Sequence, residues 1–153
     1  MQVVLVEPQI PPNTGSVARL CAATEIPLHL VGRLGFHITD RHLKRAGLDY
    51  WEFVEVHRHD SLEGFLARVP ASRLRFFSKK APTSYLSASF HARDRLIFGS
   101  ETTGLPDWLF GKYPDRFYSI PIFHPSVRSL NLAASVAIVV YEALRQTGRM
   151  GAL

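Results

Sequence analysis

Residues 3–22 read VVLVEPQIPPNTGSVARLCA, and the way this stretch divides between strand and helix decides the fold. Val3 to Val6 is apolar and largely β-branched, as in a strand buried on both faces. Pro8, Pro11 and Pro12 cannot donate to a ladder, so the strand ends before them. Asn13 is a good helix N-cap, and Val17, Leu20, Cys21 and Thr24 recur at the spacing of one helical face. Pro27 stops that helix, and LHLV at 28–31 restarts a strand. Residues 3–31 therefore read as strand, helix, strand, the unit that joins parallel neighbours in a sheet.

Outward from this unit the alternation continues. A short helix is expected around Asp40 to Ala46, a strand at Phe53 to Val56 and a helix from Ser61 to Val69. Further strands are expected at Arg73 to Phe77, Arg95 to Phe98 and Tyr118 to Ile120. The pattern predicts an α/β fold, a parallel sheet with helices on both faces, formed by residues 1–153 as one domain. No repeat, linker or low-complexity tract interrupts it.

The last helix grows out of PSVRSLNLAASVAIVVY at 125–141. Leu130, Ala133, Ala134, Ala137, Val140, Tyr141 and Leu144 form one stripe, and Val136, Ile138 and Val139 carry apolar surface around the cylinder. A helix apolar on most sides must be covered on most sides, so part of it is expected to pack against a second copy of the chain.

A hydrophobic share of 46% with 20% charged residues is ordinary for an ordered globular chain, and a formal charge of +5 favours a polyanionic partner. Cys21 is the only cysteine, which rules out an internal disulfide and suits a reducing compartment. The start lacks the pattern of a signal peptide, and Leu132 to Val140 falls far short of the ~20 apolar residues that span a bilayer. A cytoplasmic, membrane-free protein is expected.

In open parallel sheets ligands bind beyond the carboxyl ends of the strands. Four loops there are unusual: PPNTGSVAR at 11–19, SKKAP at 78–82, GSETTGLP at 99–106 and PIFHPSVRSLN at 121–131. The paired glycines of 99–106 permit a tight turn and close approach by a planar ligand, while Glu101 either accepts ligand hydrogen bonds or steadies the loop. The phosphate-loop and dinucleotide fingerprints are absent. Asn13, Ser129 and Asn131 read as helix caps or ligand contacts, and Arg19 as a solvated or functional cation. The seven histidines lack the ligand partners of a zinc site, so no metal is expected, and Cys21 has no evident activating base. Basic clusters at Arg33, DRHLKRAG (40–47), HRH (57–59) and Lys79–Lys80, near Phe36, Tyr50 and Trp51, read as a solvated charged face or as the mixture that binds unpaired RNA.

The ordered set VEPQIPPNTGSVARLCA (6–22), RAGLDYWEF (45–53), LIFGSETTGLP (96–106) and SIPIFHPSVRSLNLAASVAIVVYEALRQ (119–146) resembles the knotted SPOUT RNA methyltransferases, in particular the YibK/TrmL group. The resemblance implies a carboxyl-terminal trefoil knot that holds S-adenosylmethionine, which leaves as S-adenosylhomocysteine. It implies a homodimer packed through the first and last helices. It further implies 2′-O-methylation of the wobble nucleotide, cytidine 34 or a modified uridine 34, in a tRNA anticodon stem-loop. Methylation of another RNA position, or RNA binding without transfer, are the alternatives. By this likeness Phe77, Gly99, Ile120 and Ser129 contact the cofactor, Glu101 is the family's loop carboxylate among the cofactor-binding residues, and Arg19 stands near the attacking hydroxyl. Tyr141 is the second catalytic candidate, positioning RNA or supporting the site. The segment IFHPSVRS is one residue longer than in relatives, which leaves Ile122 as an alternative to Ile120. Lys44 and Arg45 are expected to hold tRNA.

Overall fold

The computed structural model describes residues 1–37 and 48–149. Six parallel strands form one sheet: β1 (Gln2–Val6), β2 (Leu28–Val31), β3 (Val56–His59), β4 (Leu74–Phe77), β5 (Arg95–Phe98) and β6 (Phe117–Tyr118). Their spatial order is β3-β2-β1-β5-β4-β6, with Val4 in register with His29 on one side and Ile97 on the other.

The alternation of side chains along the strands builds two cores. On one face Val3, Leu5, Leu28 and Leu96 pack with Val17, Ala18 and Cys21 of helix α1 (Pro11–Thr24) and with Val136, Val139 and Val140 of the last helix, α4 (Leu132–Gln146). On the other, Val4, Val6, Phe76 and Ile97 pack with Leu62, Phe65 and Leu66 of α2 (Leu62–Leu66) and Leu109 of α3 (Trp108–Lys112). Helices thus cover both faces, as the alternation requires.

Several boundaries differ from the sequence-based expectation. Helix α1 begins two residues before Asn13, because Pro11 and Pro12 occupy its first positions, where a fixed φ suits a helix and a missing N–H costs nothing. Its N-cap is Ile10, which contributes no side-chain bond, so Asn13 lies inside the first turn and is not the cap. Residues 48–53 form a 3₁₀ helix and the following strand is Val56–His59, later than expected at 53–56. That strand is polar in sequence because its face is filled by rings: His29 stacks on His57 at 4.6 Å and on His59 at 5.1 Å, and Phe65 meets the His59 ring edge-on. The helix expected at 61–69 is confined to Leu62–Leu66, with Ser61 Oγ accepting from Gly64 N at 3.1 Å. The short helix expected at 40–46 lies outside the described residues.

In α4 the buried stripe is Val136, Val139, Val140, Ala143 and Leu144, not the expected stripe through Ala134 and Tyr141. Ala134, Ile138 and Tyr141 face outward. No helix among the described residues is long and apolar enough to cross a membrane.

Candidate active site

The carboxyl ends of β1, β4 and β5 open onto one cavity, and the loop after β5 shapes it. Gly104 N donates to Ser100 O at 2.9 Å, folding the loop back until a Cβ on Gly99 would collide with the Gly104 carbonyl carbon. Only glycine allows that approach at position 99. Gly104 itself has φ +71, the left-handed region that glycine enters without cost.

The same loop points Glu101 at the start of α1. Its Oε2 accepts from Gln9 N at 2.8 Å, and its Oε1 accepts from Ile10 N at 3.2 Å and from Asn13 Nδ2 at 3.0 Å. A helix start without a side-chain cap is thereby capped from a distant strand, with a negative charge at the positive end of the helix. Asn13 passes the connection on: its Oδ1 accepts from Asn131 Nδ2 at 2.8 Å. Asn131 is the N-cap of α4, accepting from Ala133 N at 2.8 Å and Ala134 N at 3.2 Å. One carboxylate and two amides therefore tie the glycine loop to the starts of α1 and α4. Of the two readings of Glu101, the steadying one has the hydrogen bonds, although the residue also lines the cavity.

The cavity measures about 500 Å³, and Phe77, Gly99, Glu101, Ile120 and Ser129 all line it. Ile122 lines it as well, so the longer loop brings both isoleucines to the wall. Asn131 combines capping with a place in the lining. Lys79 and Lys80, expected as a basic cluster in one of the four candidate loops, also stand in the wall. Lys79 Nζ donates to the Arg128 carbonyl at 3.2 Å and Lys80 Nζ pairs with Asp107 at 2.9 Å, each pinning one loop of the cavity to another.

Arg19 and Tyr141 do not line this cavity. Arg19 is exposed on α1, with its guanidinium 4.9 Å from the centre of the Tyr50 ring, a cation–π contact. Tyr141 stands on the outer face of α4, 48% exposed. Burial pushes the Cys21 thiol up to about 12, so it carries no thiolate at neutral pH. No cluster of three or more His, Cys, Asp or Glu among the described residues is arranged to hold a metal. The residues expected to contact tRNA, Lys44 and Arg45, lie outside the described residues.

Comparison with known proteins gives this geometry a family. The model of the SpoU rRNA Methylase family matches residues 1–141. An Aeromonas hydrophila protein named tRNA (cytidine(34)-2'-O)-methyltransferase is 45% identical over 154 aligned positions, covering 100% of this chain and 98% of that one. A solved structure concerned with 2-OH methylation of C/U34 on tRNA is 44% identical with a TM-score of 0.88, covering 95% of this chain and 94% of that one. The SpoU methyltransferase AviRb from Streptomyces viridochromogenes, solved in complex with the cofactor AdoMet, is 25% identical with a TM-score of 0.80, covering 95% of this chain and 57% of its own. A family model over nearly the whole length and a relative at this identity leave one conclusion: the chain belongs to the SpoU rRNA Methylase family.

Proposed function

We propose that this chain is a cytoplasmic RNA methyltransferase that moves a methyl group from S-adenosylmethionine to the ribose 2′-hydroxyl of the wobble nucleotide, cytidine 34 or uridine 34, of a tRNA. The observation that carries the reading is that all five expected cofactor residues line one cavity at the carboxyl edge of the sheet. Its chemistry fits the cofactor. Phe77, Ile120, Ile122 and Leu105 offer apolar walls that would hold an adenine, and backbone polar groups of the collapsed turn at Gly99 would be available to bond it.

When bound, S-adenosylmethionine supplies a methyl already made electrophilic by its sulfonium. The chain's own residues therefore have to align the hydroxyl, ease loss of its proton and exclude water. Arg19 is the residue for the hydroxyl. Its guanidinium orients the oxygen and stabilises negative charge developing there.

Arg19 lies outside the cavity of its own chain, which gives the proposed homodimer a chemical purpose. A second copy docking across α1 and α4 would cover Ile138 and Tyr141 and carry Arg19 of one chain toward the cavity of the other. The proposed carboxyl-terminal knot draws support from the pairing of residues 83–85 with Ser119, where Ser119 N donates to Thr83 O at 2.8 Å and Tyr85 N to Ser119 O at 2.9 Å.

Arg19→Ala is expected to lower transfer by about 10²-fold or more while calorimetry finds unchanged affinity for S-adenosylhomocysteine. An equal fall in both would reassign Arg19 to structure. Nucleoside mass spectrometry of tRNA from cells with and without the protein tests the target: loss of 2′-O-methylation at position 34 is expected, and loss at another position would move the substrate.

A further inference from the structure

A second cavity, of about 510 Å³, lies at the same edge of the sheet and plays no part in the site above; its lining includes Glu7, Gln9, Arg33, Phe36 and His37. The backbone has been bent to make it. Glu7, directly after β1, sits at φ +48, a left-handed conformation that glutamate rarely adopts. Gly32 and Gly35 leave room for the two side chains. A Cβ on Gly32 would lie 2.8 Å from Glu7 Cγ, and one on Gly35 would lie 2.8 Å from Gln9 Cα and collide with the Gln9 amide oxygen. Gly35 N donates to Pro8 O at 3.0 Å and Gln9 Nε2 to Glu7 O at 2.7 Å, so the walls are tied to each other. Among the described residues, no hydrogen bond or ion pair engages the Glu7 carboxylate oxygens.

The two cavities are lined by consecutive residues of one segment. Gln9 lines the second and Ile10 the first, and the backbone N–H of each is held by Glu101, itself part of the first lining. A nucleotide whose 2′-hydroxyl reaches into the first cavity carries its base on C1′, the sugar carbon bonded to the one that bears the reacting hydroxyl. The base is therefore held close to the first cavity, and the second cavity offers the neighbouring space for it.

We propose that the second cavity receives the pyrimidine base of the nucleotide that is methylated, and that Glu7 reads its edge; the inference rests on the RNA methyltransferase reading. Cytosine presents an N4 amino donor beside N3 and O2 acceptors, which a carboxylate and a guanidinium match in turn. Glu7 accepts from the amino group, Arg33 donates to the acceptors, and the half-buried Phe36 ring offers a face for stacking. Uracil puts an oxygen where cytosine has the amino group, so Glu7 ranks cytosine above uracil. An amide at position 7 presents a donor and an acceptor and removes that ranking.

The test compares RNA stem-loops carrying C, U or an abasic site at the target position. For the unaltered protein kcat/KM is expected to favour C over U by about tenfold or more. Glu7→Gln is expected to bring the two within about twofold, with S-adenosylhomocysteine affinity unchanged by calorimetry. A preference that survives E7Q, or an equal loss on C and U together with cofactor affinity, overturns the proposal. Should E7Q not fold, Arg33→Met, at an exposed position, tests the same cavity: kcat/KM on both the C and the U stem-loop is expected to fall toward that of the abasic RNA with S-adenosylhomocysteine affinity unchanged, and an unchanged kcat/KM overturns the proposal. If the unaltered protein methylates no stem-loop, the methyltransferase reading fails, and fluorescence anisotropy then decides the base site alone. Tighter binding of C than of the abasic RNA, abolished by E7Q, upholds it; equal binding overturns it.

Discussion

Glu101 satisfies three donors with one carboxylate and stands between the loop after β5 and the starts of two helices. Glu101→Ala would strand the Gln9 and Ile10 amides and the Asn13 side chain, a loss of about 1–3 kcal/mol measured from urea unfolding, because partly buried donors left unpaired bear their desolvation cost. Cofactor affinity should fall with it, and unchanged stability would mean that water replaces the carboxylate. At this scale the sequence was legible as to several residues that line the cavity and silent on how they connect. Glycine, glutamate, serine and asparagine in GSETTGLP and RSLN mark a site because their side chains bond or their backbones turn. The partner of each depends on loops 88 and 118 residues apart in the chain, which no local spacing encodes. Glu7 and Arg33 went unassigned to a pocket for the same reason, since their cavity exists only when the segments after β1 and β2 lie side by side.

The elements carry two further predictions. Gly99→Ala would push the loop after β5 off Gly104, so S-adenosylhomocysteine binding should be lost in calorimetry while the two apolar cores keep the fold. The second concerns the ring stack between β2 and β3. His29 is 7% exposed, its Nδ1 is 2.8 Å from His59 Nε2, and burial together with the neighbouring His57 and His59 lowers its pKa to about 3. Between pH 6.5 and about 3 the unfolded chain therefore holds a proton that the folded chain refuses. Stability from this group is complete above pH 6.5 and falls as the pH drops, by up to about 1.4 kcal/mol per unit. Denaturation at pH 7 and pH 5 should differ accordingly, and His29→Phe should flatten the slope; an equal slope would place the acid sensitivity elsewhere. This stack also explains the misplaced strand. VHRH lacks the apolar run that marked β1, β2 and β5, because the rings that fill its face come from β2 and α2.

For the whole molecule, the breadth of apolar surface on α4 predicted a covering partner from sequence, and the structure relocates the uncovered part to Ala134, Ile138 and Tyr141. Ile138→Asp is expected to convert a sedimenting dimer to a monomer and to abolish transfer, since each cavity would then lack the Arg19 of its neighbour; a monomeric unaltered protein would remove that scheme. The sheet order has a separate consequence for how the chain reaches this state. β5 lies between β1 and β4, so the centre of the sheet joins residues 2–5 to residues 95–98. During synthesis β1 can gain β2 early, yet its other edge stays bare until residue 98 has left the ribosome. Assembly is therefore expected to be slow and largely post-translational, and nascent chains halted before β5 should be prone to aggregation and good clients for chaperones.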